Sequence, residues 1–222
     1  MLAVHFWSWN ASVGLTSVAA SVVLVDTQPI VVAVLSVLWL REPPTRGQWL
    51  GIAIAFIGAA IIVWPHFTAN AVRAGAGQHA LLGDLLALVG AITAAVYYVC
   101  GRRLRATLAV WPYVGLVYGT CLVVLVVLAL VMRAPLAARP PREVAIFAGL
   151  ALGPMLIGHT GLNWALRYLP AYVVNVTVLG EPVFATTLAA LLPGIRELPG
   201  IATILGGCVV MAGIWVTTRD TR

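Results

Sequence analysis

Apolar runs of roughly 17 to 25 residues follow one another along the chain, and a helix of that length crosses the hydrocarbon core of a bilayer. Short groups of arginine, proline and acid punctuate them. Ser17 to Leu40 is closed by "REPP", and Gln48 to Trp64 by Pro65. Leu82 to Cys100 is closed by "GRRLR", and Pro112 to Met132 by the loop "RAPLAARPPRE". Val144 to Tyr168 and Ala171 to Pro193 are separated only by "LP", and Ile201 to Thr217 runs into "TRDTR". These make seven full spans. The segment before Ser17, "MLAVHFWSWNASVGLT", is about 16 residues, or roughly 24 Å as helix. That is short of a core about 30 Å thick, so it reads as the end of an eighth helix.

Composition closes off the soluble alternatives. Hydrophobic residues make up 62% of the 222 and charged residues only 9%, against about a quarter charged in soluble domains. The net charge is +6 and every basic residue is arginine. The arginines lie between apolar runs, where they set topology and anchor headgroups. They form no basic stripe of the kind that binds nucleic acid. Cys100, Cys121 and Cys208 are scattered through apolar segments without metal-ligand spacing, so no metal and no disulfide framework is expected. No signal-peptide pattern opens the chain. No GxSxG, HExxH or P-loop pattern occurs, so neither an enzyme nor a nucleotide-driven pump is expected, and no cofactor.

The chain also repeats itself. Shifted by 155 residues, "REPPTRGQWLGIAIAFIG" from Arg41 falls on "RELPGIATILGGCVVMAG" from Arg196. Arg41, Glu42 and Pro44 meet Arg196, Glu197 and Pro199, while Gly51 and Gly58 meet Gly206 and Gly213. The same register carries Trp9 onto Trp164 and Asp26 onto Glu181. Pro29 and Pro182 do not share it. The second copy starts near Leu82, which maps about 73 residues before Met1. The expectation is therefore an incomplete first copy and a complete second one. Five helices per copy, an odd number, place the two copies upside down relative to each other.

The stretches "HTGLNWALRYLPAYVVNVTVLGEPVFATTLAALLPGIRELPGIATILGG" (159–207), "HFWSWNASVGLTSVAASVVLVDTQPIVVAVLSVLWLREPPTRGQWLG" (5–51) and "GDLLALVGAITAAVYYVCGRRLR" (83–105) together resemble the EamA-like branch of the drug/metabolite transporter superfamily. The resemblance covers essentially the whole chain. It implies an all-α membrane fold of ten helices in two inverted five-helix repeats around a central cavity. It also implies secondary transport of small metabolites or drugs, often outward. Under it, residues 1–65 hold the last part of helix 3 with helices 4 and 5, 66–80 form a loop, and 81–219 hold helices 6–10. The sequence departs from the family pattern in "LLPGIRE", where an unbroken apolar run usually ends in Gly-Glu, and in the missing front of the first copy. A truncated, non-transporting remnant or structural membrane partner is the alternative. A cytoplasmic C-terminus, as the family has, leaves eight arginines on the cytoplasmic side and five outside, the bias expected of a cell-membrane protein. The expected partners are the lipid bilayer, a small-molecule substrate and protons or another coupling ion. A homo-oligomer is compatible with this class.

Glu181 and Asp26 head the candidate site. An acid at the centre of a membrane helix costs roughly 2.5–3.5 kcal/mol, and such residues usually face a bundle interior and serve function. The alternative is a protonated carboxyl that ties helices together. Pro29 and Pro182 each free a carbonyl one turn earlier, making a hinge or a static kink. His159, Asn163 and Trp164 share one side of a helix at i, i+4 and i+5, and His5, Trp9 and Asn10 form a comparable cluster. Both clusters read as cavity lining or as interhelical hydrogen bonding, and the two tryptophans also as belt residues. Tyr97 and Tyr98 read as belt anchors at a span's end, with substrate stacking by Tyr98 as the second option. Gln28 and Asn175 are further cavity candidates. Glu42 and Glu197 read as acids favoured at helix N-termini, and Asp84 as an N-terminal cap. The glycines 51, 58, 206 and 213 recur two turns apart and predict close helix packing.

Overall fold

The structure, a computed structural model, describes residues 1–71, 79–134, 139–191 and 198–219. Glu197, Pro193 and the front of the "RELPG" segment lie outside the described residues. All regular structure among the described residues is helical. Seven segments are long and apolar enough to cross a membrane: Ala20–Leu40, Arg46–Trp64, Ala80–Arg105, Val110–Val131, Pro141–Ala165, Ala171–Leu188 and Ile201–Arg219. Each coincides with one of the seven runs read from the sequence. Before them stands α1 (Leu2–Val13), the expected short helix.

Two of the spans are broken in the middle. The first consists of α2 (Val18–Val25) and α3 (Gln28–Leu35), separated by Asp26 and Thr27. Ser17 caps α2 by accepting from the Ala20 N–H at 3.1 Å. Pro29 has no N–H to offer one turn back and disfavours helical backbone at the residue before it. Thr27 Oγ1 donates to the Leu24 carbonyl at 2.6 Å and takes up one of the acceptors at the break. The sixth span repeats the device. There α9 (Ala171–Val176) tightens into a 3-10 turn, Thr177–Gly180, before α10 (Glu181–Leu191) resumes. Thr177 Oγ1 donates to the Val174 carbonyl at 2.7 Å.

The prolines differ from expectation. Neither lies in a helix interior, where it would kink a continuous helix. Each is the second residue of a resumed half-helix, after Gln28 in α3 and after Glu181 in α10. The first turn of a helix has no use for that N–H, so proline is tolerated there. Their different sequence registers arise because α10 restarts two residues earlier, relative to the 155-residue shift, than α3 does.

The first span ends in a widened π turn, Ser36–Leu40, closed by Arg41 in the left-handed conformation (φ 58°). Then α4 (Arg46–Ala71) starts in a reciprocal cap. The Gln48 N–H reaches Thr45 Oγ1 at 3.2 Å, and the Thr45 N–H reaches Gln48 Oε1 at 2.9 Å. This is a capping box. Thr45→Val should cost about 1 kcal/mol, seen as a lower midpoint of thermal unfolding in detergent with the helical spectrum unchanged at low temperature. Glu42 lies before this cap and takes no part in it, so the helix-terminus role expected of it is not the one found. Its partner is described below. The expected loop 66–80 is also shorter at its front, because α4 continues past Pro65 to Ala71. Membrane helices accommodate a proline when neighbours meet the freed carbonyl.

α5 (Ala80–Arg105) includes the "GRRLR" that was read as a terminator. Arginines suit the negative end of a helix dipole, so they extend the last turn. Asp84, read as a cap, is the fifth residue of this helix; His79 precedes the helix as its cap residue. After α6 (Val110–Val131), the fifth span joins α7 (Pro141–Leu150) through a nine-residue π segment, Ala151–His159, to α8 (Thr160–Ala165). Pro154 sits inside the π segment and breaks the regular i→i−4 ladder there.

The last helix, α11 (Ile201–Arg219), packs antiparallel against its repeat counterpart α4. A Cβ on Gly58 would stand 2.7 Å from the Gly206 carbonyl, and one on Gly51 2.8 Å from that of Gly213. The 155-residue shift turns the first pair into the second, so the contact is its own image under a pseudo-twofold axis. That is the inverted-repeat arrangement. α5 packs on α1 and on the turn that follows it: a Cβ on Gly90 would meet Ser8 in α1 at 3.4 Å, and one on Gly83 would meet Thr16 in the turn at 2.8 Å. α6 and α7 keep most of their large apolar side chains exposed, among them Leu116, Leu122, Val127 and Phe147. Such a surface suits lipid.

Candidate functional site

The two acids stand at the two breaks. Asp26 closes α2 and is half-buried; Glu181 opens α10 and is exposed. Their carboxyls are close enough to interact electrostatically, and the Tyr98 phenol is within the same reach of Glu181. A break in a membrane helix uncovers backbone dipoles as well. Carbonyls collect at the end of α2, whereas at the start of α10 the Glu181 N–H is already bonded to the Val178 carbonyl. Carboxylates and carbonyls together suit a cation or an exchanging proton.

Around α1, α5 and α8 lies a polar and aromatic cluster that joins the two copies. His5 Nδ1 is 2.9 Å from the Gly90 carbonyl, which can only accept, so Nδ1 carries the proton of this bond. The His5 ring stacks on Trp9 with centroids 6.0 Å apart, and Phe6 presents its edge to His159 at 5.8 Å. Asn163 is fully buried, and its Nδ2 donates to Tyr97 Oη at 2.5 Å and to the His159 carbonyl at 2.7 Å. Beside it, Tyr118 Oη and Thr160 Oγ1 are 3.2 Å apart.

Several buried polar atoms here have no partner among the described residues: Trp9 Nε1, His159 Nδ1 and Asn163 Oδ1 in the cluster, and both amide atoms of Asn175 in α9. Native structures leave few such groups, and each is a place where water or a ligand can complete the bonding. Gln28 is buried at the start of α3.

The structure thus brings together His5, Trp9, His159 and Asn163, and separately Asp26, Glu181 and Tyr98. It does not gather Asn10 and Trp164. Asn10 is exposed and turns its amide back to the Phe6 carbonyl at 2.7 Å. Trp164 is 53% exposed and packs on Tyr168 at 4.9 Å. It lies 100° of helical turn beyond Asn163, enough to leave the buried face. Tyr97 and Tyr98, read as belt anchors, are buried. α5 runs five residues past Cys100, which places them about two turns inside the helix. Tyr97, as the acceptor of Asn163, is the member the sequence reading undervalued. Its only signal was a tyrosine on the same helix face as the small buried residues Ala87, Gly90 and Ala94.

Inverted repeats that meet along equivalent helices, with acids at matching positions of two spans, are an arrangement found in many membrane transporters. The chain belongs to the EamA-like transporter family, whose pattern matches residues 1–64 and 81–219. It is similar to the uncharacterized transporter YdfC of Bacillus subtilis (strain 168), at 26% identity over 96% of this chain and 67% of that one. An uncharacterized transporter of Archaeoglobus fulgidus is 26% identical over 97% of this chain and 72% of its own length. A crystal structure with 19% identity superposes with a TM-score of 0.79 over 98% of this chain and 72% of the other. The protein is therefore a multi-pass membrane transporter, and it spans about two thirds to three quarters of these relatives.

Proposed function

We propose that the protein is a secondary transporter that exports a small metabolite or drug-like compound across the cell membrane by alternating access. The carrying observation is the pair of broken spans with Asp26 and Glu181 at equivalent positions. Half-helices that pivot at a break can rearrange without unravelling, because each half keeps its own hydrogen bonds. Pro29 and Pro182 fix where each half restarts, and the breaks beside them serve as the hinges. Glu181 and Asp26 are the polar contacts for a cationic group of the substrate or for an exchanged proton. Trp9, His159, Asn163 and Asn175 offer unfilled hydrogen bonds to a cavity wall that His5, bonded to the Gly90 carbonyl, helps to shape. The arginine bias supports a cytoplasmic C-terminus.

The test is efflux in bacterial cells stripped of their own multidrug exporters, screened with a panel of fluorescent amphiphilic cations and neutral analogues. Export by the wild type should fall by at least about tenfold in Glu181→Gln, an effect of about 1.4 kcal/mol on the transport barrier, with the amount of protein in the membrane unchanged. Undiminished export in that variant would remove Glu181 from the mechanism.

A further inference from the structure

We propose that Glu42 and Arg102 form an ionic latch that closes the arginine-rich end of the path between the two copies. This rests on the alternating-access reading above. Arg102 donates from Nε to both Glu42 carboxylate oxygens at 3.1 and 3.2 Å, and from Nη2 to Oε1 at 2.9 Å. Its third nitrogen, Nη1, donates to the Leu166 and Arg167 carbonyls at 2.9 and 3.1 Å. One guanidinium thus holds three segments. They are the link after the first span in copy one, the end of α5, and the turn after α8 in copy two. Arg105 reinforces the same turn from α5, with Nε 2.9 Å from the Asn163 carbonyl and Nη1 on that of Leu108.

The link is shaped to deliver Glu42. Arg41 takes up a left-handed conformation that costs a non-glycine residue energy, and the Glu42 N–H then folds back onto the Ser36 carbonyl at 3.0 Å. A second tie between the copies lies close by in the chain, from Tyr172 Oη to Gln48 Oε1 at 2.9 Å. A further ion pair among the described residues, Arg139–Glu143, is exposed and local to one helix start.

The pair is suited to opening as well as closing. Its side chains are 21% and 32% exposed and line a cleft of about 490 Å³ together with Trp39, Arg103 and Arg167. Water can therefore solvate both partners when they separate, whereas a fully buried pair would leave two stranded charges. Ser36, whose carbonyl accepts from the Glu42 N–H, is fully buried, and its hydroxyl has no partner among the described residues. A path that admitted water from this end would satisfy it.

Ser36→Cys makes this measurable without knowing the substrate. With Cys100 and Cys208 replaced by serine and the buried Cys121 kept as an internal reference, a membrane-impermeant maleimide is applied to vesicles of each orientation. Cys at position 36 should label slowly when Glu42 and Arg102 are intact. Glu42→Gln or Arg102→Gln should speed it about tenfold, from the arginine-rich side only, with Cys121 unchanged. The exchanged pair Glu42→Arg/Arg102→Glu regains the ion pair but not the bonds to the Leu166 and Arg167 carbonyls, so labelling should slow part of the way back, which simple removal of bulk would not do. Equal labelling rates in wild type and Glu42→Gln overturn the latch, as does faster labelling of Cys121 in parallel, which means general loosening. Because labelling does not require export, a protein that transports none of the tested compounds still gives the answer, so failure of the latch and failure of the transport reading are separable.

Discussion

Gly213→Ala should destabilise the protein by roughly 1–3 kcal/mol, the range for forcing one extra carbon into a packed interface. A Cβ at this position would sit 2.3 Å from the Ala55 backbone nitrogen and 2.7 Å from the Ala55 Cβ. The obstacles are backbone and Cβ, which cannot rotate away, so α4 and α11 must separate along their length. Between membrane helices there is little hydrophobic force to compensate, because lipid is as apolar as the helix partner, and packing itself holds the pair. Gly51→Ala should behave alike, since its Cβ would meet the Thr217 nitrogen at 2.6 Å. Gly119→Ala is the control. Nothing lies within 4 Å of its Cβ, and alanine favours helix by up to about 1 kcal/mol over glycine. The check is the fraction surviving as a monodisperse peak after heating in detergent. Equal survival of Gly213→Ala and Gly119→Ala would show that α4 and α11 do not meet as described.

This interface was legible before any coordinates. Two glycines on one face of each of two helices, paired across a 155-residue repeat, already specify helices that approach closely. The seven spans were legible for a similar reason, since length and hydropathy act locally. The breaks were half legible. Acid and proline beside each other marked the places, but the sequence register made the prolines look unrelated. Only the early restart of α10, two residues ahead of α3 in the repeat register, puts both in the same local position. Other features depend on contacts far apart in the chain, which a local pattern cannot carry. Glu42 meets Arg102 from 60 residues away and Asn163 meets Tyr97 from 66. Read alone, Glu42 looked like a helix-terminus acid and Tyr97 like a belt residue. Trp164 erred the other way. Its repeat partner Trp9 has a buried indole nitrogen, but equivalence in a repeat does not guarantee an equivalent environment once the copies pack against different neighbours.

Replacing the two acids by leucine should stabilise the protein while ending transport. Each carboxylate near the middle of a span carries a cost of roughly 2.5–3.5 kcal/mol on insertion scales. Half-burial of Asp26 and exposure of Glu181 bring the recoverable part down to about 1 kcal/mol or more for each. The acids also act on each other electrostatically. Removing one relieves its partner, so Asp26→Leu/Glu181→Leu should gain less than the sum of the single variants. A gain in stability at the expense of activity is what residues kept for function produce. Carboxyls kept as structural ties would give the opposite sign, because their loss strands the groups they bonded. Thermal unfolding of the four proteins in detergent distinguishes the two. A lower midpoint in either single variant would assign these acids to holding the helices together.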